Sequence, residues 1–596
     1  MPISRRTFIT RTGALISALA FLRALPASAA ASFRPGLLPS ADQVWSDVVF
    51  VNNDMGPTRL TGSWQHNAYV RYLKQQLTKI LASAGGAVFE DSFQNYPRWT
   101  AKSWGLFAGS RPLPVASYFP YCTGGFTGAR TPLVPAPSLA APGTGGNYPV
   151  ADGNNVVIIP PTSSATGNVV NLGTFTGTGT INWTNAAGMI AYIDVSVEAA
   201  SNVIPPSLYT VNATYDEGAF NTEMFLNPPN PTATIFAPPD ITNATQAGVL
   251  GVILGWQGIS TDNAKGQYNP FTVPYSSSPA SSQAGSNPSQ TKGGIPALWV
   301  TEDVGTFIKD EIAGQAVRVT VSLDAEIKQV STSTVWGILP GANYGTSNDQ
   351  FLICNTHSDG PNIAEENGGI GVFNVAQYFA RVPLHERPKS MVFMASTGHF
   401  GHGFLGSGRD WITQHPQILD QTVGCMTIEH FGCNEWEDLL RGSNLFFAPT
   451  GKLVQTQVLV TDPAFQGRTP GPADPTLLEI FNDSIAGAYD RAAMLSGGVF
   501  LGEGGGFHAA GVPTIGYLPV PQYLCAMALD GEISKLNSKH FYDQVTVTVK
   551  CLLAMQQATA DQLKGAASFK LKRGFLDWTG SRQAGENTSP ADRRAQ

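Results

Sequence analysis

The stretch THSDGPNIAEENGG, Thr356 to Gly369, places His357, Asp359, Glu365 and Glu366 in one glycine-rich loop behind the apolar run FLIC. Similar polar pairs follow other apolar runs: His399 and His402 after MVFMAST, Glu429 and His430 after VGCMTI, and Glu503 with His508 in LGEGGGFHAAGVP. Five of the nine histidines occupy such positions. Histidine with two carboxylates is the ligand set of a catalytic zinc site that keeps one position for water. Such a metal lowers the pKa of bound water to about 7 and polarises a carbonyl, so an amide can be attacked without a protein nucleophile. Asp359, two residues beyond His357, suits an acceptor that fixes the imidazole tautomer. The bland alternative is that each histidine satisfies a loop carbonyl and the glutamate pair is solvated.

Nucleophilic serine chemistry is disfavoured, because no G-x-S-x-G elbow is present and Ser407 in FLGSGRD does not fit one. No Walker loop occurs, and no GxGxxG follows a strand; GEGGG, Gly502 to Gly506, is too short.

The elements that must position these residues follow from apolar spacing. Val70, Leu73, Leu77, Ile80 and Leu81 recur at helical intervals and predict an amphipathic helix. From about Ser92 to Thr180, Pro, Gly, Ser and Thr dominate, broken by short runs such as NVVIIP, Asn155 to Pro160, which suits strands joined by long loops. Between about Gly188 and Leu323, the runs GMIAYIDV, QAGVLGVILGW, GGIPALWVTEDVGTFI and GQAVRVTVSL read as strand, small-residue helix, strand, strand. From Thr334, continuous apolar strands alternate with helices. That pattern predicts an α/β fold with a mainly parallel mixed sheet covered by helices on both faces. Ligands in such sheets sit outside the carboxyl ends of the strands, where the polar pairs fall. The predicted division is a signal at 1–31, an N-terminal part of the catalytic domain at 32–150, a β-rich insert at 151–330, a catalytic α/β domain at 331–563 and a polar tail at 564–596.

At 596 residues the chain has ample material for large cores. Hydrophobic residues make up 42% and charged residues 13%, with a formal charge of -7 and no stripe of Lys or Arg, which argues against a nucleic-acid partner. SRRTFIT, followed by an apolar stretch from Gly13 to Leu22 and by Ala27-Ser28-Ala29, reads as a twin-arginine export signal. The apolar segment is far shorter than the roughly 20 residues of a spanning helix, so no stable membrane anchor is expected. Removing residues 1 to about 31 takes away four arginines and no acid, carrying the formal charge from -7 to -11. The expected location is periplasmic or extracellular. Six cysteines lie scattered without CxxC spacing, so no zinc knuckle or disulfide framework is predicted, though an oxidising compartment allows one or two bridges.

The order GPTRLTGS, THSDG, AEENGGIGVFNVAQYF, STGHFGHGFLGS, TIEHFG and FHAAGVP resembles the secreted zinc aminopeptidases with two co-catalytic metals. QAGVLGVILGW and GIPALWV resemble the strands of their protease-associated insert, in which Trp256 and Trp299 read as packing residues. The resemblance implies a metal bound by His357, Glu366 and Glu429, each carboxylate one methylene longer than usual, with Glu365 next in register. The family's adjacent Glu-Glu pair, source of the general base and of one second-metal ligand, is replaced by His399-Phe400, and its last histidine falls on Gly504. The resemblance therefore implies one zinc, or two with a second site rebuilt from His399, His402 and His508, and His430 joins the candidate ligands.

Three functions fit. The first is an exported, aminopeptidase-like hydrolase of a peptide or small amide substrate, in which a histidine or Glu365 acts as base. The second is a metal-free binding protein on a peptidase fold. The third is a histidine-based hydrolase of another bond. Candidate catalytic residues are Asp359, Glu365, His399 and His402; candidate metal ligands are His357, Glu366, Glu429, His430 and His508. Oligomeric state has no signature in the sequence.

Overall fold

The structure is a computed structural model. It describes residues 32–118, 164–175, 181–196, 209–210, 244, 247–265, 295–313, 317–399, 409–442, 444–454, 456–460, 475–488, 492–496, 502–519, 521, 523–524, 526 and 529–565. The signal segment, NVVIIP, His402, Cys122, Cys525 and the tail from 566 lie outside the described residues.

Two helices open the described chain. Helix α1, Ala41–Met55, is capped by the Ser40 hydroxyl, which accepts from the Gln43 N–H. Helix α2, Trp64–Ala82, is capped in the same way by Ser63. Its buried residues include all five predicted apolar positions, Val70 to Leu81, so one face packs on the core. Strand β1, Ala87–Ala108, then runs 22 residues.

The middle of the chain builds a smaller sheet from β2, Val169–Phe175, β3, Ile190–Ser196, β4, Gly251–Gln257, and β5, Ala297–Val300. These four pair in parallel in that order, and Ser117–Tyr118 adds an antiparallel edge to β5. The run QAGVLGVILGW thus contributes strand β4 and no small-residue helix. Gly248, at a left-handed φ of 78°, turns the chain, after which residues from Gly251 to Trp256 are all buried between cores on the two faces. A strand sandwiched in this way needs no helical spacing, only apolar continuity. Trp256 and Trp299 stack on each other at 4.2 Å, as packing residues do.

Strand β6, Val319–Leu339, returns antiparallel to β1 over nearly its whole length, with register shifts between Phe93 and Tyr96 and between Ala101 and Ser103. At its start β6 gives Val319, Val321 and Leu323 to the smaller core; at its end it gives Val335 and Leu339 to the larger one.

The larger sheet continues with β7, Phe351–His357, β8, Ser390–Ser396, β9, Thr422–Ile428, β10 and β11, a separate hairpin of Asn434–Arg441 and Asn444–Leu453, β12, Thr456–Val460, β13, Ala492–Ser496, and β14, Thr514–Pro519. Its order is β1-β6-β8-β7-β9-β14-β12-β13, with short strands at both ends. Pairs β8–β7, β7–β9 and β9–β14 are parallel, whereas β6–β8 and β14–β12 are antiparallel. Every residue of β7, β8, β9 and β14 is buried, which explains their unbroken apolar character. Alternate residues of β7 serve two cores, Leu352 and Cys354 on one face, Phe351 and Ile353 on the other. Helices α3, Ile363–Glu366, α4, Gly368–Arg381, α5, Pro475–Ile485, α6, Gly504–Ala509, and α7, Ser538–Gln557, complete the layers.

This is the α/β architecture expected, with a mixed sheet that is parallel at its centre. Among the described residues no helix is long and apolar enough to cross a membrane. Cys354, Cys425, Cys433 and Cys551 are buried free thiols, so none of them forms a bridge.

Candidate metal centre

Strand order reverses at β7: the chain leaves it to form β8 on one side and later β9 on the other. A crevice opens at the carboxyl ends where such a reversal occurs. His357 ends β7, His399 follows β8, Glu429 and His430 follow β9, and Glu503 precedes β14. Glu365 enters from the short helix α3. Its N-cap Asn362 accepts from the Glu365 N–H and donates to the carbonyls of Tyr523, Leu524 and Ala526.

The imidazoles are oriented by what their Nδ1 atoms bond. His357 Nδ1 donates to the Asp359 carbonyl at 2.8 Å, and His430 Nδ1 donates to the Pro519 carbonyl at 2.8 Å. A carbonyl can only accept, so both rings carry their coordinating lone pair on Nε2. His357 Nε2 lies 3.8 Å from Glu365 Oε1 and 3.9 Å from Glu429 Oε2. His430 Nε2 lies 3.5 Å from Glu429 Oε2 and 3.2 Å from Glu365 Oε2. That last pair is close enough for a hydrogen bond but not aligned for one, so two buried polar atoms remain unsatisfied. His399 sits differently: its Nδ1 bonds Glu503 Oε1 at 2.7 Å, its Nε2 lies 3.5 Å from Glu365 Oε1, and its ring stacks on that of His357.

Burial and mutual charge set the protonation pattern. Burial raises the Glu365 carboxyl, but the imidazoles of His430, His399 and His357 bring it down to about 2. Burial likewise opposes ionisation of Glu503, which His399 and His357 nevertheless hold well below the usual carboxylate range. Glu429 is pushed well above that range by burial and by the charge of Glu503. Burial depresses His357, whereas the carboxylates of Glu503 and Glu365 overcome burial and raise His399 well above an ordinary imidazole.

His430 carries a φ of 59°, rare for a residue with a side chain and a mark of a constrained site. The turn is held from several sides. The Asn367 side chain donates to the Phe431 carbonyl and accepts from the Phe431 N–H, Gln544 accepts from the Gly432 N–H, and the Cys433 thiol donates to the His430 carbonyl.

Three expected site residues lie elsewhere or act otherwise, and a fourth is outside the described residues. Glu366 turns away from the imidazoles and pairs with the buried Arg59 guanidinium; burial, against Arg59, still lifts it to about 8. Asp359 fixes the His357 tautomer with its backbone carbonyl, while its carboxylate accepts from Thr61 and from the Gly398 and His399 N–H groups. His508 is buried on α6 and belongs to neither group of side chains that could hold a metal, and His402 lies outside the described residues. Glu503 is the residue whose part sequence reading did not assign: its polar place before β14 was visible, its pairing with His399 was not. Arg59, Thr61 and His66, from the GPTRLTGSWQH segment, support the site from behind. His66 Nε2 meets the Ser358 hydroxyl, and burial together with Arg59 lowers the imidazole to about 3.

Among the described residues, the groups that could hold a metal are His357, Glu429 and His430, and, overlapping it, His357, His399 and Glu503. Preset tautomers, buried carboxylates and unsatisfied atoms facing one another fit a divalent cation of the zinc class.

No protein-family model matches the chain, and no curated protein matches it. Two solved structures of BSAP, a zinc aminopeptidase from Bacillus subtilis, are similar at 14% identity, covering 88% of this chain and 98% of theirs, with TM-scores of 0.50 and 0.51. An aminopeptidase from Aneurinibacillus sp. strain AM-1 is 15% identical over 86% of this chain and 93% of its own, with a TM-score of 0.49. The fold built around these side chains is therefore similar to that of the B. subtilis zinc aminopeptidase.

Proposed function

We propose that the chain is an exported, metal-dependent hydrolase of peptide or other small amide bonds, aminopeptidase-like in fold and altered in its metal centre. The observation that carries this reading is the convergence of His357, His430, Glu365 and Glu429 at the carboxyl ends of adjacent strands, with both imidazole tautomers preset for coordination. A zinc-class ion held there supplies an activated water and a polarised carbonyl. His399 is placed to move a proton at Nε2, and Glu503, bonded to its Nδ1, balances the imidazolium charge that results. Asp359 holds the loop that carries His399 by accepting two of its backbone N–H groups.

The smaller sheet serves, on this reading, as a protease-associated-type module bordering the cleft. Support comes from Ser260 and Asn263, which bond Asp438 on the hairpin that follows the Glu429–His430 turn. The twin-arginine segment directs the folded chain out of the cytoplasm.

Elemental analysis of mature protein before and after chelation, with hydrolysis of a panel of free and N-blocked aminoacyl peptides, tests the reading. Bound zinc and chelator-sensitive turnover are expected. Turnover that survives complete metal removal would refute it.

A further inference from the structure

The two groups of side chains able to hold a metal overlap at His357. That overlap makes them competitors, because the His357 Nδ1 is committed to the Asp359 carbonyl and only the Nε2 lone pair remains.

Ring geometry decides between them. An imidazole lone pair lies in the ring plane, so two rings share an ion only if their planes intersect near it. His357 and His399 stack with centroids 4.2 Å apart and planes only 18° from parallel, so an ion in the plane of one stands well outside the plane of the other. His357 and His430 lie at 64°, and their planes cross.

The donor separations agree. His357 Nε2 and His430 Nε2 each lie 3.2–3.9 Å from the facing oxygens of Glu365 and Glu429. Glu429 Oε2 faces both rings, and Glu365 turns Oε1 to His357 and Oε2 to His430; these separations approach the edge of about 3.4 Å in a tetrahedron with zinc-ligand bonds of ~2.0–2.1 Å. Glu503 Oε1, in contrast, is occupied by His399 Nδ1 at 2.7 Å, which ties that carboxylate to the stacked ring, and Glu429 Oε1 accepts from the Glu503 N–H at 3.0 Å. Among the described residues the alternative group is His357, His399 and Glu503, so an ion drawn to the His399 side would have to take the His357 Nε2 lone pair away from His430.

Resting on the metal-dependent reading above, we infer that the centre takes a single divalent cation on His357, His430, Glu365 and Glu429, and that His399 with Glu503 stands beside it as a protein-side ion pair outside the coordination sphere. His430 is thereby a ligand in its own right, which accounts for a turn that holds it at positive φ.

The test is zinc titration into chelator-treated mature protein by calorimetry, with elemental analysis after desalting and the visible spectrum of the cobalt form as a readout of geometry. One ion per chain is expected for the native sequence. His430→Ala should weaken binding by at least about 100-fold, whereas His399→Gln should change it by less than about tenfold. Two ions per chain, or loss of the ion in His399→Gln with retention in His430→Ala, would overturn the inference and leave the hydrolase reading standing. No uptake at all would sink both. Should His430→Ala not fold, the stoichiometry of the native chain still decides.

Discussion

Glu365 and Glu366 are neighbours on one helical turn, both fully buried, and they face opposite worlds. Glu365 looks into three imidazoles and is held ionised near 2; Glu366 looks at Arg59, and burial lifts it to about 8 despite that partner. On the Glu365 side the facing groups are imidazoles and a second carboxylate, Glu429. On the Glu366 side they are enclosed: Arg59 also donates to the Val51 and Gly56 carbonyls and lies over the Tyr69 ring, whose hydroxyl donates to the Glu366 carbonyl. Imidazoles and carboxylates facing one another mark the side able to receive a cation, and a carboxylate already paired with a buried guanidinium marks the side that holds the receiver still.

The contrast breaks most severely with Glu365→Gln. Amide nitrogen in place of a carboxylate oxygen removes one anionic ligand, so bound metal and hydrolysis should both be lost while circular dichroism keeps its folded shape. A variant that retains stoichiometric zinc would erase the distinction between the two glutamates. Next in size, Arg59→Met strands a buried carboxyl and should cost about 3–5 kcal/mol in denaturant unfolding. Adding Glu366→Leu should restore part of that loss, since an apolar pair of similar volume needs no desolvation; equal stability of the single and double variants would count against the enclosed ion pair.

A third effect comes from His66 on the arginine side. Its folded pKa, about 3, lies below the ordinary 6.5, so the unfolded chain takes up a proton first as pH falls. The stability it contributes is fully present above about 6.5 and is lost at about 1.4 kcal/mol per pH unit toward 3, or about 2 kcal/mol at pH 5. His66→Asn should flatten that dependence relative to the native chain, as read from unfolding midpoints at pH 7.5 and pH 5. The smallest change expected is from Asn362→Ala, which removes the cap of the Glu365 turn at a cost of about 1 kcal/mol. Its sharper sign is weakened zinc binding out of proportion to that loss, because the side chain joins the turn to three carbonyls of the 523–526 segment.

Much of this was legible as sequence. Continuous apolar runs announced strands buried on both faces, and His357, His399, Glu429 and His430, which follow FLIC, MVFMAST and VGCMTI, were found where the carboxyl ends of β7, β8 and β9 meet. The choice between Glu365 and Glu366 was not legible, since adjacent helical residues point about 100° apart and a register slip of one exchanges their partners. Nor was the left-handed conformation of His430, because histidine enters that region only occasionally and the groups that hold the turn, Asn367 and Gln544, are distant in sequence. QAGVLGVILGW misled because small residues suit helices and tightly packed strands alike. The partnership of His399 with Glu503 spans 104 residues and depended on a loop whose path no local pattern reveals.

The ribbon of β1 and β6 gives the molecule its mechanical character. One uninterrupted strand supplies side chains to both cores, so the two sheets share a load path with no linker between them. Such a ribbon is a shared girder: a substitution that disturbs β6 in one core bears on the same strand that supplies the other.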